Sequence, residues 1–158
     1  MTSCELSVKV AIHSWKLVVE RLDEMFSRLS EAQFSKEVAP GKNRLIYLLG
    51  HLTAINDAMF PILGLGTRLH PELDAMFVSE PDKSAQLPAV QELKQYWSEV
   101  NSRLLSQFRN LSPDEWLLRH YAMSEEDYAK EPTRNRLAVL LSRTNHMSYH
   151  LGQINLAN

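Results

Sequence analysis

The sequence has little of what marks several large classes of protein. A single cysteine, Cys4, cannot form an internal disulfide bond, which excludes the small disulfide-stapled domains. Glycine, proline and polar residues interrupt residues 45–63, so we expect no apolar run long enough to span a bilayer. The N-terminus lacks the basic-then-apolar pattern of a signal peptide. These features predict a cytoplasmic protein that does not cross a membrane.

The chain also has little excess of positive over negative charge, or the reverse. The chain has 17 Lys and Arg against 19 Asp and Glu, a formal net charge of -2, and no strongly basic run. A nucleic-acid-binding surface needs such a run, so no nucleic-acid partner is expected. Hydrophobic residues make up 44% and charged residues 23%, as in ordinary globular proteins. The length of 158 residues predicts a single domain over residues 1–158.

Apolar residues recur at spacings of three and four in four long segments, which indicates helices rather than strands. The predicted helices cover residues 6–29, 42–60 and 88–110, and a last one follows residues 133–136 and runs through residue 154. Pro61 should end the second helix. The predicted core stripe of the first comprises Leu6, Val10, His13, Leu17, Val18, Leu22, Met25 and Leu29. That of the last comprises Leu137, Leu140, Leu141, Thr144, Met147, Leu151 and Ile154.

Two extended connections separate these helices. Residues 67–86 should form a long connection that carries a short helix, and residues 121–132 should be irregular. Between them, Ser112 and Pro113 begin a short helix with a capping box. Four long helices with such connections predict an all-α four-helix bundle, in which sites are commonly built from side chains on facing helices.

Three histidines are the candidate site. His146 and His150 are four residues apart, so a helix places both on one face, one turn from each other. His51 on the second helix has small neighbours, Ala54 and Ala58, that leave room for a cavity. Three neutral imidazoles bind a divalent metal and leave a position open for water or substrate. The alternative is that such histidines lie on solvated faces or satisfy core hydrogen bonds without binding metal.

Three further residues are candidates for supporting roles. Gln153 could accept the second N–H of a ligand histidine, although a surface amide at a helix end is the alternative. Arg143 lies on the ligand face and could attract an anionic substrate, the alternative being a solvated arginine paired with a carboxylate. His13 could act as a base or an extra ligand, or be a partly buried histidine bonded to a neighbouring helix.

The segment Gly50-His51-Leu52, together with His146-x-x-x-His150-x-Gly152-Gln153, resembles the DinB/YfiT-like superfamily. The resemblance implies a four-helix bundle in an up-up-down-down arrangement, with long crossover connections. It also implies a divalent ion held by His51, His146 and His150; zinc or nickel is expected first, with iron or manganese as alternatives.

Characterised members of the superfamily include metal-dependent enzymes that use a low-molecular-weight thiol. The resemblance therefore implies a homodimeric enzyme that acts on a small-molecule substrate through a metal-activated thiol or water, as a thiol-dependent transferase or a hydrolase. Because fold does not settle activity, the rival is a non-enzymatic metal-binding or stress-response interaction protein.

Overall fold

The computed structural model describes residues 1–157 and confirms the all-α class. Its four long helices are α1 (Ser3–Arg28), α2 (Leu45–Asp57), α5 (Val90–Phe108) and α8 (Arg136–Leu156). The short helices are α3 (Met59–Leu63), α4 (Leu73–Phe77), α6 (Pro113–Trp116) and α7 (Glu125–Lys130), and Glu31–Ser35 forms a 3₁₀ turn. Among the described residues the extended backbone pairs only in two isolated antiparallel bridges, Glu37 with Arg44 and Arg119 with Asn135.

The connection between α1 and α2 stays at one end of the bundle. The 3₁₀ turn packs on α2, and the backbone N–H of Leu45 donates to the carbonyl of Lys36, so the chain doubles back just before α2 begins. Helix α1 also runs antiparallel to α5, since the rings of Trp15 and Phe108 lie 5.0 Å apart and those of Phe26 and Trp97 5.8 Å apart. Helix α2 therefore begins where α1 ends and runs the opposite way.

The connection between α3 and α5 is the one that crosses the bundle. Near the end of α2, the backbone N–H of Leu69 donates to the Asp57 carboxylate. Further along the connection, the hydroxyl of Tyr47 donates to the carbonyl of Glu80. At the start of α2, Arg44 pairs with Asp82. The connection thus runs back along the whole of α2, and α5 starts at the same end as α2.

The helix directions correct the predicted up-up-down-down order. After α5, residues 109–135 stay at one end, where the backbone N–H of Arg136 donates to the carbonyl of Leu118 as α8 begins. Helix α8 therefore runs antiparallel to α5, and the four long helices run up, down, down and up in chain order. The prediction was wrong because only one of the two extended connections crosses the bundle.

The second predicted helix is divided in two. Helix α2 ends at Asp57, and the chain continues after Ala58 as α3, which contains Pro61. Proline has no N–H to donate to the carbonyl four residues earlier, here that of Asp57, so the break falls one turn before the proline and not at it. Gly64, with a φ of 74°, ends α3 in the left-handed conformation.

The buried face of α1 differs from the predicted stripe. Leu6, Val10 and Leu17 are exposed by 49%, 59% and 39% of their surface. The helix instead buries Val8, Ala11, Trp15, Val18, Val19, Leu22 and Phe26. Apolar residues occur on more than one side of α1, and the side with the two large aromatic rings removes more apolar area from water. Leu141 of the predicted α8 stripe is likewise exposed.

Two further predictions need correction. Residues 125–130, expected to be irregular, form α7, which buries no side chain and so shows no apolar period; Ser124 caps its start. Among the described residues, the segment Leu45–Leu63 does reach the length and mean hydropathy, 1.3, of a membrane span, and 67% of it is buried inside the protein. That burial is typical of the central helix of a bundle.

Candidate metal centre

Helices α2 and α8 bring the three predicted histidines together. His51 lies on α2, and His146 and His150 lie one turn apart on α8. The Nε2 atom of His146 is 3.2 Å from Nε2 of His51 and 2.9 Å from Nε2 of His150. One ring nitrogen from each histidine lies within 4.8 Å of the others. The antiparallel packing of α2 against α8 thus creates a single point at which three imidazoles converge.

Hydrogen bonds fix the protonation of the Nδ1 atoms of His51 and His150. Nδ1 of His51 lies 2.7 Å from the carbonyl oxygen of Phe77, which can only accept, so Nδ1 carries the proton. Nδ1 of His150 lies 2.8 Å from the amide oxygen of Gln153 and donates to it. The Gln153 amide in turn donates to the Tyr149 hydroxyl. In their neutral forms, His51 and His150 therefore present bare Nε2 lone pairs to the cluster.

This arrangement fits a divalent cation. Nε2 of His146 can supply at most one proton, so without an ion at least one pair of lone pairs would face each other at close range. Two nitrogens at the usual zinc distance of about 2.0–2.1 Å lie about 2.9–3.4 Å apart when they subtend about 90–110° at the ion. The observed separations of 2.9 and 3.2 Å fall in that range. Three imidazoles suit zinc, nickel and iron alike.

Burial keeps two of these histidines neutral. It lowers the pKa of His146 to about 4, and the charges of His150, His51 and Arg143 add to the effect. Burial also lowers the pKa of His150, although the hydrogen bond with Gln153 opposes the shift. Neutral imidazole is the form that binds metal. At neutral pH the ligands on α8 therefore need lose no proton before they bind.

Gly50 and Tyr47 place the acceptor for His51. A Cβ atom at Gly50 would lie 2.2 Å from the ring of Phe77, so only glycine lets α4 approach this closely. The Tyr47 hydroxyl lies 3.2 Å from the Phe77 carbonyl oxygen, and its ring stacks on that of His51. Sequence reasoning missed Phe77, because a backbone oxygen has no residue-type signal. The glycine beside His51 was the available clue.

The other candidates lie in different places. Gln153 contacts His150, as described above, and Arg143 is partly buried one turn before His146 on α8. The structure does not bring His13 into the cluster, because its exposed side chain on α1 lines a groove with Phe108 and Pro113. Asp57, which the sequence did not assign as a ligand, is fully buried and bonded to Arg68 and to two backbone N–H groups.

The fold and the cluster define a class of protein, a four-helix bundle with three histidines from two facing helices. The sequence model of the DinB superfamily matches residues 14–154. The chain belongs to the DinB superfamily, which confirms the resemblance in the histidine-containing segments. No curated protein matches this chain.

Proposed function

We propose that this protein is a divalent-metal-dependent enzyme that acts on a small molecule through a metal-activated thiol or water, as a thiol-dependent S-transferase. The observation that carries the proposal is the convergence of three Nε2 atoms, two of them held unprotonated by acceptors behind the rings. Zinc and nickel are the expected ions, with iron and manganese as alternatives. A homodimeric state and a cytoplasmic location belong to the same proposal.

The number of ligands favours an enzyme over the non-enzymatic rival. Structural zinc sites are closed by four protein ligands, whereas catalytic sites use three and keep one position open. Among the described residues, the candidate ligand group contains only the three histidines. When bound there, a divalent ion would lower the pKa of a thiol or water in the remaining position.

The residues around the histidines have positioning roles. The Phe77 carbonyl fixes the tautomer of His51, and Gln153 fixes that of His150. Tyr149 holds the Gln153 amide, and its ring contacts the edge of His150 while 64% of its surface stays exposed. These contacts keep both imidazoles oriented before any ligand arrives, which reduces the reorganisation needed on binding.

The first test is metal content after single substitutions. His51→Ala, His146→Ala and His150→Ala should each weaken zinc binding at least about a hundredfold, more than the loss of an outer hydrogen bond causes. Purified proteins would be stripped, reloaded with zinc or nickel, and measured by mass spectrometry of the metal. The matched control is His13→Ala, which removes an exposed histidine outside the cluster and should leave one equivalent of metal bound.

The second test is turnover. Wild-type protein would be incubated with a low-molecular-weight thiol and a panel of electrophiles, with and without metal, and the loss of electrophile followed. Metal-dependent loss that disappears in His146→Ala supports the enzyme. Stoichiometric metal without metal-dependent loss supports the non-enzymatic rival, and full metal retention in all three histidine variants contradicts the site itself.

A further inference from the structure

Arg143 is a partly buried cation without an acceptor. Arg44 and Arg68, near α2, each form ion pairs with aspartates, and the buried Arg136, whose Nε atom also lacks an acceptor, lies over the ring of Tyr121. Among the described residues, Arg143 forms no hydrogen bond or ion pair, and its Nε atom is shielded from water with no partner. A shielded guanidinium N–H that lacks an acceptor is costly, so its retention calls for an explanation.

Arg143 lies next to the metal centre along α8. It precedes His146 by three residues, which places both side chains on one face of α8. Among the described residues, no Asp or Glu carboxylate belongs to the group of ligand atoms that lie within 4.8 Å of one another at this centre.

The charge of the occupied centre would therefore be uncompensated. Three neutral imidazoles add nothing to the two positive charges of the ion, and Arg143 adds a third. Charges of the same sign on neighbouring turns of one helix repel each other in a partly buried site, where the dielectric constant is lower than in water. An anion that contacts both the ion and the guanidinium removes this repulsion and also satisfies the orphaned N–H of Arg143.

We propose that the substrate or thiol co-substrate carries an oxyanion, a carboxylate or a phosphate, that binds Arg143 while its reacting atom occupies the open position at the metal. The inference rests on the proposed function and names the class of molecule that it acts on. The planar guanidinium offers two parallel N–H donors that match an oxyanion, which an ammonium cannot do. Arg143 is then a binding residue that selects charged substrates over neutral ones.

The test compares a charged thiol with a neutral one. Calorimetric titration of zinc-loaded wild-type protein should show that 3-mercaptopropionate binds about 10- to 100-fold more tightly than 2-mercaptoethanol, the gain expected from hydrogen bonds to a charged group. Arg143→Gln should abolish the preference, and Arg143→Lys should keep part of it. The matched control is Arg103→Gln, an exposed arginine on α5, which should keep all of it.

A second readout does not depend on catalytic activity. The shielded Nε–H of Arg143 should give a resolved signal in ¹⁵N NMR, and Arg143→Gln would assign it. That signal should shift saturably with 3-mercaptopropionate but not with 2-mercaptoethanol, and a separate titration with inorganic phosphate distinguishes the two oxyanions. Equal affinities for both thiols, or a signal that no oxyanion moves, would overturn the inference.

The two proposals fail in different ways. Wild-type protein that takes up none of zinc, nickel, iron and manganese contradicts the proposed function but not the need of Arg143 for an acceptor. In that case, titration of the metal-free protein with acetate tests whether Arg143 binds an oxyanion. A saturable shift of the Arg143 signal supports the inference, and an unmoved signal overturns it.

Discussion

At the scale of single residues, two glycines that look equivalent in the sequence have different surroundings. Gly50 precedes one ligand histidine and Gly152 follows another by two residues. A Cβ atom at Gly50 would overlap the fully buried ring of Phe77, whereas one at Gly152 would meet no atom of the described residues within 4 Å beyond its chain neighbours and its own helix backbone. Packing requires the first glycine, whereas no packing contact among residues 1–157 requires the second.

Alanine at the two positions should have opposite effects. Gly152→Ala should stabilise the protein by about 0.5–1 kcal/mol, because glycine inside a helix has excess freedom in the unfolded chain. Gly50→Ala should destabilise it by about 1–3 kcal/mol through overpacking. It should also weaken zinc binding, because the Phe77 carbonyl that orients His51 must move. Denaturant unfolding and zinc titration would measure both effects, and a stabilised Gly50→Ala would contradict the close approach.

The ligands could be predicted from the sequence, whereas the groups behind them could not. The spacing of His146 and His150 indicates a shared helix face, and the small neighbours of His51 on the second helix indicated the third ligand, which the family resemblance then supported. The carbonyl of Phe77 and the missing acceptor of Arg143 depend on atoms that carry no pattern along the chain. Such features appear only when distant segments have packed.

At the scale of elements, the crossing connection between α3 and α5 is held to α2 by polar contacts. At its far end, Asp82 accepts hydrogen bonds from the backbone N–H and the guanidinium of Arg44, at 2.7 Å each for the shortest pairs. The Asp82 side chain is only 4% exposed. Burial alone would raise its pKa, but the hydrogen bonds and the charge of Arg44, together with a hydrogen bond from the backbone N–H of Lys83, outweigh burial and hold the pKa of Asp82 below its usual value of 3.8.

This pair should make stability depend on pH. Because the folded pKa of Asp82 is depressed, its stabilisation is complete above about pH 3.8 and is lost as the pH falls through the lower folded pKa. Asp82→Asn should therefore cost about 1–3 kcal/mol at pH 7, and the difference from wild type should shrink at the acid end. Urea unfolding at a series of pH values would measure this difference in stability. Asp114→Asn, at an exposed aspartate, is the control. A difference that stays constant down to the lowest pH would contradict the ion pair.

The elements were easier to predict than their directions. Apolar periodicity indicates where a helix lies, so all four long helices were predicted near their observed positions. It does not say at which end the next helix starts. That depends on polar pairs such as Arg44 with Asp82 and Tyr47 with Glu80, which join residues 38 and 33 positions apart. Nor does periodicity say which face is buried when a helix has apolar residues on two sides, as the exposed leucines of α1 show.

At the scale of the whole molecule, the centre joins two helices that are distant in the chain. An ion that binds only the folded protein stabilises it by mass action, by about 2.7 kcal/mol when free zinc is at a hundred times its dissociation constant. Zinc should therefore raise the denaturation midpoint of wild-type protein, and a chelator should reverse the change. His146→Ala should show no shift, and magnesium should not replace zinc because it prefers oxygen ligands. Equal stabilisation of His146→Ala by zinc would contradict the prediction.

The spacing of the three ligands also sets an order of assembly. His146 and His150 are neighbours on one turn of α8, whereas His51 is 95 residues from His146 in the chain. The pair on α8 comes together as soon as that helix forms, and the third ligand joins only when α2 docks against it. A folding chain in a metal-containing solution thus has a two-ligand half-site before it has a tertiary structure. Completion of the centre therefore requires that α2 has docked against α8.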